Sequence, residues 1–176
     1  LDPYFLEPLG LDPVSLAGLQ ARALLESGKA TERDIAEVVA RSRRNALANP
    51  NAQVRRDETV EHLLAKPYYA APLRAHDLPP ISDAAAAVVL ATGAKARELT
   101  KNPVFIRGID HRIEAHQPGF RDLTSSSSTA LAAAKAGLGD GPVQVAELSA
   151  SFSPQEIILA QALGLDDSVS INPSGG

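Results

Sequence analysis

Residues 143–176 read as a strand, a polar turn, a helix and a second strand that runs into a glycine turn. No other feature constrains the fold as much. Residues 143–148 and 169–171 carry the β-branched apolar residues of buried strands, and residues 154–163 between them read as a helix. Strands joined through a helix pair in parallel, and parallel sheets are covered on both faces. The unit therefore predicts an α/β layer structure. Its helix has a full set of start signals: Ser153 as N-cap, Pro154 at the first position and Glu156 closing a capping box, with Gly164 as the stop.

Upstream, the same alternation continues. Residues 129–136 predict a helix, and residues 104–109 a strand bounded by Pro103 and Gly108. Thr92 caps a helix through Leu99, and residues 84–90 form a continuous apolar run. Three or four strands make only part of a sheet, so its remaining neighbours lie elsewhere. The tract Ser125-Ser126-Ser127-Ser128 leads into the following helix and caps it.

The first 80 residues differ. Pro3, Pro8, Pro13, Pro50, Pro67, Pro72, Pro79 and Pro80 punctuate short helices, with no strand signal. Asp12-Pro13-Val14 opens a helix to Ser27, stopped by Gly28. Thr31 caps the next, with Glu32 and Asp34 at the positive end of its dipole. Ile35, Val38, Val39, Ser42, Ala46 and Leu47 hold its apolar stripe until Asn49-Pro50 ends it. A third helix covers residues 60–65.

Composition removes several function classes. Cys and Met are both absent, so these residues supply no disulfide, thiol nucleophile or Cys-ligated metal. A formal charge of -4 argues against nucleic-acid binding. No apolar run reaches the length of a membrane span, and a soluble cytoplasmic setting is expected. The chain opens on Leu1, as a processed or internal piece of a longer protein would. Arg41-Ser42-Arg43-Arg44 and Arg55-Arg56 read as a solvated helix face ahead of a clamp for a phosphate-bearing ligand.

Single chemical groups point nowhere. His62, His76, His111 and His116 have no metal-binding spacing, and no metal site is expected. Asp110-His111-Arg112 reads as a polar cluster at a strand end. Ser149, Ser151 and Ser153 crowd one turn between strand and helix, where backbone N–H groups and the helix dipole face a ligand.

Four segments together resemble the thiolase superfamily. Residues 81–90, Ile-Ser-Asp-Ala-Ala-Ala-Ala-Val-Val-Leu, resemble its S/N-D-G-A-A-A segment. Residues 45–53, Asn-Ala-Leu-Ala-Asn-Pro-Asn-Ala-Gln, resemble the N-A-x-x-N-P-x-A-Q stretch of the sterol-carrier-protein type. Residues 145–152 align with that type's V-x-E-x-H-D-x-F, and residues 172–176 with the N-x-S/N-G-G turn. The resemblance implies a thiolase-like fold, part of a layered α-β-α-β-α architecture, with a helical loop domain at its N-terminal end. Residues 1–80 would be that loop domain, which covers the active site and contacts coenzyme A. Residues 81–101 would end the N-terminal half of the fold, and residues 102–176 begin the C-terminal half.

It also implies a site. Ser149 and Asn172 take the catalytic positions, while Ser82, Gly175 and Gly176 are candidates for contact with the coenzyme A thioester. The family's nucleophilic Cys would lie upstream, and its G-H-P base and second Cys downstream. Ser149 stands where the family has His or Asn to orient a water near the thioester oxygen, Ala150 replaces an acidic residue, and Ala84 replaces Gly. A Ser hydroxyl holds a water but cannot take up charge near neutral pH. Glu147 at a strand end and Phe152 as a core plug fit structural roles.

The expected function is a thiolase-like acyl-CoA enzyme, one that makes or breaks a carbon–carbon bond beside a CoA thioester in lipid or steroid metabolism. The acyl-CoA is substrate, and no permanently bound cofactor is expected. One alternative is a retro-aldolase subunit for steroid side-chain CoA esters working with an OB-fold partner; the other is a non-catalytic lipid-transfer or partner subunit. A homodimer, or a heteromer with a thiolase-like or OB-fold subunit, is the expected assembly.

Overall fold

Local signals start most of the helices in the computed structural model, which describes residues 3–175. The exception is the helix at Ser127–Lys135, where the serine tract expected to cap it makes no side-chain cap and Glu114 accepts the Ser128 N–H at 2.8 Å instead. Helix α1 (Pro13–Glu26) begins where the Asp12 carboxylate accepts the Ser15 N–H at 2.6 Å, and Gly28 follows it at φ 70°. Helix α2 (Glu32–Ala46) has a reciprocal cap. The Asp34 N–H donates to Thr31 Oγ1 at 3.2 Å, and the Thr31 N–H donates to the Asp34 carboxylate at 2.7 Å. Replacing Thr31 with Ala should cost about 1 kcal/mol, read as a lower urea midpoint. An unchanged midpoint would show that tertiary packing alone sets this helix start.

Helix α3 (Val60–Leu64) packs on α2 through Leu63, which is fully buried against Ala36, Val39 and Ala40. Strands β1 (Tyr68–Ala70) and β2 (Leu73–Arg74) then form a short antiparallel pair. This corrects the expectation of no strand in the first 80 residues. The pair is held from outside itself: Leu73 is buried against Ala17 and Ala21 of α1 and against Phe152, while Tyr68 donates to Glu32 at 2.7 Å.

Helix α4 (Gly93–Leu99) starts at Thr92 as expected. Residues 84–90 and 104–109 are apolar but carry no sheet pairing, and Val88, Val89, Val104, Ile106 and Ile109 are exposed. The strand expected at 104–109 is thus not formed among the described residues. Its pattern is that of a buried strand, yet a strand forms only where a neighbour satisfies its backbone groups. Gly108 does press on the C-terminal end of helix α5 (Ser127–Lys135), against the Ala136 backbone, where a Cβ would not fit.

The C-terminal unit forms as predicted in kind and shorter in extent. Strand β3 (Val145–Ala146) leads through helix α6 (Ser153–Leu163) to strand β4 (Ser170–Ile171). The strands pair in parallel, Val145 opposite Ser170 and Ala146 opposite Ile171. The N-cap of α6 is Phe152, not Ser153, and Gln155 accepts the Phe152 N–H at 3.4 Å where Glu156 was expected. Gly164 closes the helix at φ 64°. α6 is the element on which the N-terminal helices dock: Ile158 packs with Leu24 and Ala30, and Phe152 plugs the α1–β2 cluster.

Candidate functional site

The C-terminal half of α2, residues 49–54, residues 76–82 and the two turns at 150–151 and 172–175 enclose one cleft of about 410 Å³.

Asn172 anchors the floor. It is 1% exposed and sits at φ 47°, a left-handed conformation that Asn tolerates better than most residues. Its N–H continues the β3–β4 ladder to the Ala146 carbonyl at 2.8 Å. Its side-chain oxygen accepts the Leu148 N–H at 2.6 Å, and its amide donates to Glu156 at 2.6 Å. The other oxygen of Glu156 is paired with Arg41 of α2. Burial pushes the Arg41 guanidinium below its ordinary pKa.

Helix α2 and the segment that follows it also grip the turn directly. The Asn45 amide donates to the Asn172 carbonyl at 3.0 Å, and the Asn49 amide to the Ser174 carbonyl at 2.9 Å. From the opposite side the Glu147 carboxylate takes the Ser174 N–H at 3.0 Å and its hydroxyl at 2.8 Å. Gly175, at φ 114°, passes so close to α2 that a Cβ would lie 2.7 Å from Ala46 Cβ.

The far wall carries His76 and Asp77, whose side chains are 3% and 2% exposed. Asp77 accepts the Arg74 N–H at 2.7 Å and the Ser153 hydroxyl at 2.5 Å. That contact takes Ser153 out of capping, just as Asn172 and Arg41 take Glu156. Arg43 lines the cleft and pairs with Glu58, which also binds Lys66 at 2.5 Å and lies 3.6 Å from His62. Burial, then the nearby Arg43 and Arg56, hold the Lys66 ammonium below the ordinary lysine range. The basic stretch is therefore not one solvated face: Arg41 and Arg43 make inward ion pairs, while Arg44 stays outside at 3.5 Å from Asp57.

The predicted site residues fall as follows. Asn172, Ser82 and Gly175 line the cleft. Ser149 does not: it is exposed at the apex of a tight turn closed by the Ala150 N–H and the Leu148 carbonyl at 3.1 Å, one residue from the lining at Ala150. Gly176 lies outside the described residues. The sequence reading assigned no part in the cleft to Asn45, Asn49, His76, Asp77 or Glu156, and to Arg41 only the less favoured one of a phosphate clamp. Asn45 and Asn49 stood inside a matched motif, so a signal existed for them; a lone His beside an Asp offered none.

No family model matches the chain. An acetyl-CoA acetyltransferase of Methanothermobacter thermautotrophicus is 32% identical over 92% of this chain and 48% of its own length. Benzoylsuccinyl-CoA thiolase subunit BbsB of Thauera aromatica is 29% identical over 82% of this chain and 38% of its own. The 17-hydroxy-3-oxo-4-pregnene-20-carboxyl-CoA lyase of Mycobacterium tuberculosis is 29% identical over 93% and 45% respectively. The chain thus spans about half the length, or less, of these curated relatives. Its structure resembles a solved chain of an "Ltp2-ChsH2(DUF35) aldolase", with a TM-score of 0.83 at 22% identity, over 98% of this chain and 52% of that one. That likeness shows a shared fold. The relatives are an acetyl-CoA acetyltransferase, a thiolase subunit and a CoA lyase, and they support a place in the thiolase superfamily. Among the described residues, no helix is long and apolar enough to cross a membrane.

Proposed function

We propose that the chain is part of a thiolase-type acyl-CoA enzyme of the cytoplasm, making or breaking a carbon–carbon bond beside a CoA thioester in lipid or steroid metabolism. The observation that carries this reading is the cleft on which residues 46–53, Ser82 and the turns at 150–151 and 172–175 converge. These are the segments that resemble the superfamily's motifs. On this reading residues 1–80 form the loop domain over the cleft, and residues 81–101 and 102–176 belong to the two halves of the fold. The exposed apolar runs at 84–90 and 104–109 support pairing with strands beyond them. A homodimer or a thiolase-like heteromer is the assembly we favour.

Within the site, Asn172 acts through position. With its side chain committed to Leu148 and Glu156, it fixes the turn on which Gly175, and with it Gly176, would meet the thioester. Ser82 contributes a hydroxyl from the facing wall. Ser149 would hold a water beside the thioester oxygen, the work of one hydrogen bond. Ser149→Ala should lower kcat about tenfold with KM nearly unchanged, the size of one such bond. An unchanged kcat would remove Ser149 from the chemistry.

A second reading, a retro-aldolase subunit for steroid side-chain CoA esters with an OB-fold partner, is favoured by the likeness to an aldolase structure and a CoA lyase. Binding and turnover of acyl-CoA by the intact protein separate the possibilities. Turnover alone supports the thiolase-type enzyme, and turnover only with an added partner subunit supports the second reading. Binding without turnover in either condition identifies a carrier subunit. A protein that binds no acyl-CoA overturns all three.

A further inference from the structure

Among the described side chains that line the cleft, His76 alone keeps a buried polar atom, its Nδ1, with no hydrogen-bond partner. The ring is placed firmly. It precedes Asp77, which the Arg74 N–H and the Ser153 hydroxyl hold in position, and its side chain is 3% exposed. Bulk water therefore does not satisfy Nδ1, and neither does the protein. Buried polar atoms in folded proteins are nearly always paired, so an orphan in a cleft wall marks a place where the partner arrives from outside.

The chemistry of that partner follows from the groups around the ring. Nε2 lies 3.9 Å from Asp77 Oδ1, too far for a hydrogen bond, and it is the negative charge on that side of the ring that favours the tautomer with its proton on Nε2 and leaves Nδ1 as an acceptor. The charged groups facing the imidazole are Asp77 from its own turn, Arg43 from α2, Lys66 from the end of α3 and Arg74 from β2. Burial, more than any charge, holds its pKa below the ordinary histidine value; Asp77 opposes this and the three cations reinforce it. At neutral pH the ring is uncharged and offers a lone pair, which cannot bind a phosphate or a carboxylate.

We propose that His76 is a ligand-binding residue of the cleft, its Nδ1 accepting a hydrogen bond from an N–H or O–H group of the bound CoA thioester. The proposal rests on the acyl-CoA reading of the cleft and adds to it a polar contact that selects for a donor. Such a donor exists on the amide-bearing arm of coenzyme A and on a hydroxylated acyl group. The two sources predict different ligand dependence.

The test is calorimetric binding of coenzyme A, butyryl-CoA and β-hydroxybutyryl-CoA to the intact protein and to its His76→Phe and His76→Asn variants. Asn places an amide oxygen near the position of Nδ1, so it should restore what Phe removes. Expected is a loss of about tenfold in affinity for His76→Phe and partial recovery in His76→Asn, the effect of one buried acceptor. A loss with all three ligands places the donor on the coenzyme A arm; a loss with β-hydroxybutyryl-CoA alone places it on the acyl group. In the unmodified protein, affinity should hold from neutral pH down to about 6.5 and fall only below it, as protonation of Nδ1 removes the acceptor. His76→Asn should show no such fall. The ring-nitrogen NMR signal of the unmodified protein supplies a readout independent of variant folding: the Nδ1 resonance should shift on saturation with ligand. Equal affinities across the three proteins, or an unshifted Nδ1 signal with ligand bound, overturn the assignment of His76 and leave the acyl-CoA reading standing. An unmodified protein that binds none of the three ligands overturns both.

Discussion

Glu156→Ala should destabilise the folded protein by about 3 kcal/mol, the largest loss expected from any single truncation around the cleft. The Glu156 side chain is 5% exposed and holds two partners at once, Arg41 on α2 and the Asn172 amide. Removing it leaves a guanidinium without its anion and a buried amide without an acceptor. Breaking a buried pair from one side costs more than the pair itself contributes, because the remaining partner stays desolvated. Arg41 is 39% exposed and recovers part of its hydration, which puts the loss at the lower end of the range for such pairs. Glu156→Gln keeps an acceptor for Asn172 and loses only the charge, so about half the destabilisation should remain. Urea unfolding of both variants checks this. Equal midpoints for Glu156→Ala and the unmodified protein would mean that the pair contributes nothing.

Gly175→Ala should cost about 2 to 3 kcal/mol and weaken ligand binding with it. Two independent penalties meet at this position. The φ of 114° is one that side-chain-bearing residues avoid, and the added Cβ would lie 2.7 Å from Ala46 Cβ and 2.9 Å from Ala46 Cα. α2 therefore has to move away from the turn or the turn has to change shape. Either change breaks the hydrogen bonds from Asn45 and Asn49 to the Asn172 and Ser174 carbonyls. Adding Ala46→Gly removes the clash with the Ala46 methyl group. It leaves the close approach to the α2 backbone and the strained φ in place, so the double variant should recover only part of the loss. Full recovery would show that the Ala46 methyl group was the whole effect; no recovery would leave the backbone as the sole cause.

The same two residues show where sequence reading runs out. Gly175 stood in a recognisable glycine turn, so its importance was legible, although its approach to Ala46 was not. Glu156 was legible only as a capping residue, because an acid three residues after Ser153 beside a proline matches that pattern. The structure moves the cap back to Phe152 because stronger partners compete for both side chains. The buried Asp77 carboxylate takes the Ser153 hydroxyl, and Arg41 with Asn172 takes Glu156. The β1–β2 pair was invisible for a related reason: its three- and two-residue strands are stabilised by α1 and Phe152, not by a repeating pattern of their own.

What the sequence determined by itself lies within a few residues along the chain. The starts of α1, α2, α3 and α4 at Asp12, Thr31, Thr59 and Thr92 rest on hydrogen bonds spanning three residues. The glycine stop at Gly164 and the strand–helix–strand order of the C-terminal unit belong to the same class. What only the tertiary structure decided is which of these pieces meet. Arg41 reaches Glu156 across 115 residues, Asn45 reaches Asn172 across 127, and Ser153 reaches Asp77 across 76. Local propensity has no term for such partners, since loop closure brings them together only when the helices dock on α6. The same rule leaves residues 104–109, readable as a strand, and the apolar run at 84–90 unpaired: their pattern is local, and their hydrogen-bond partners are not.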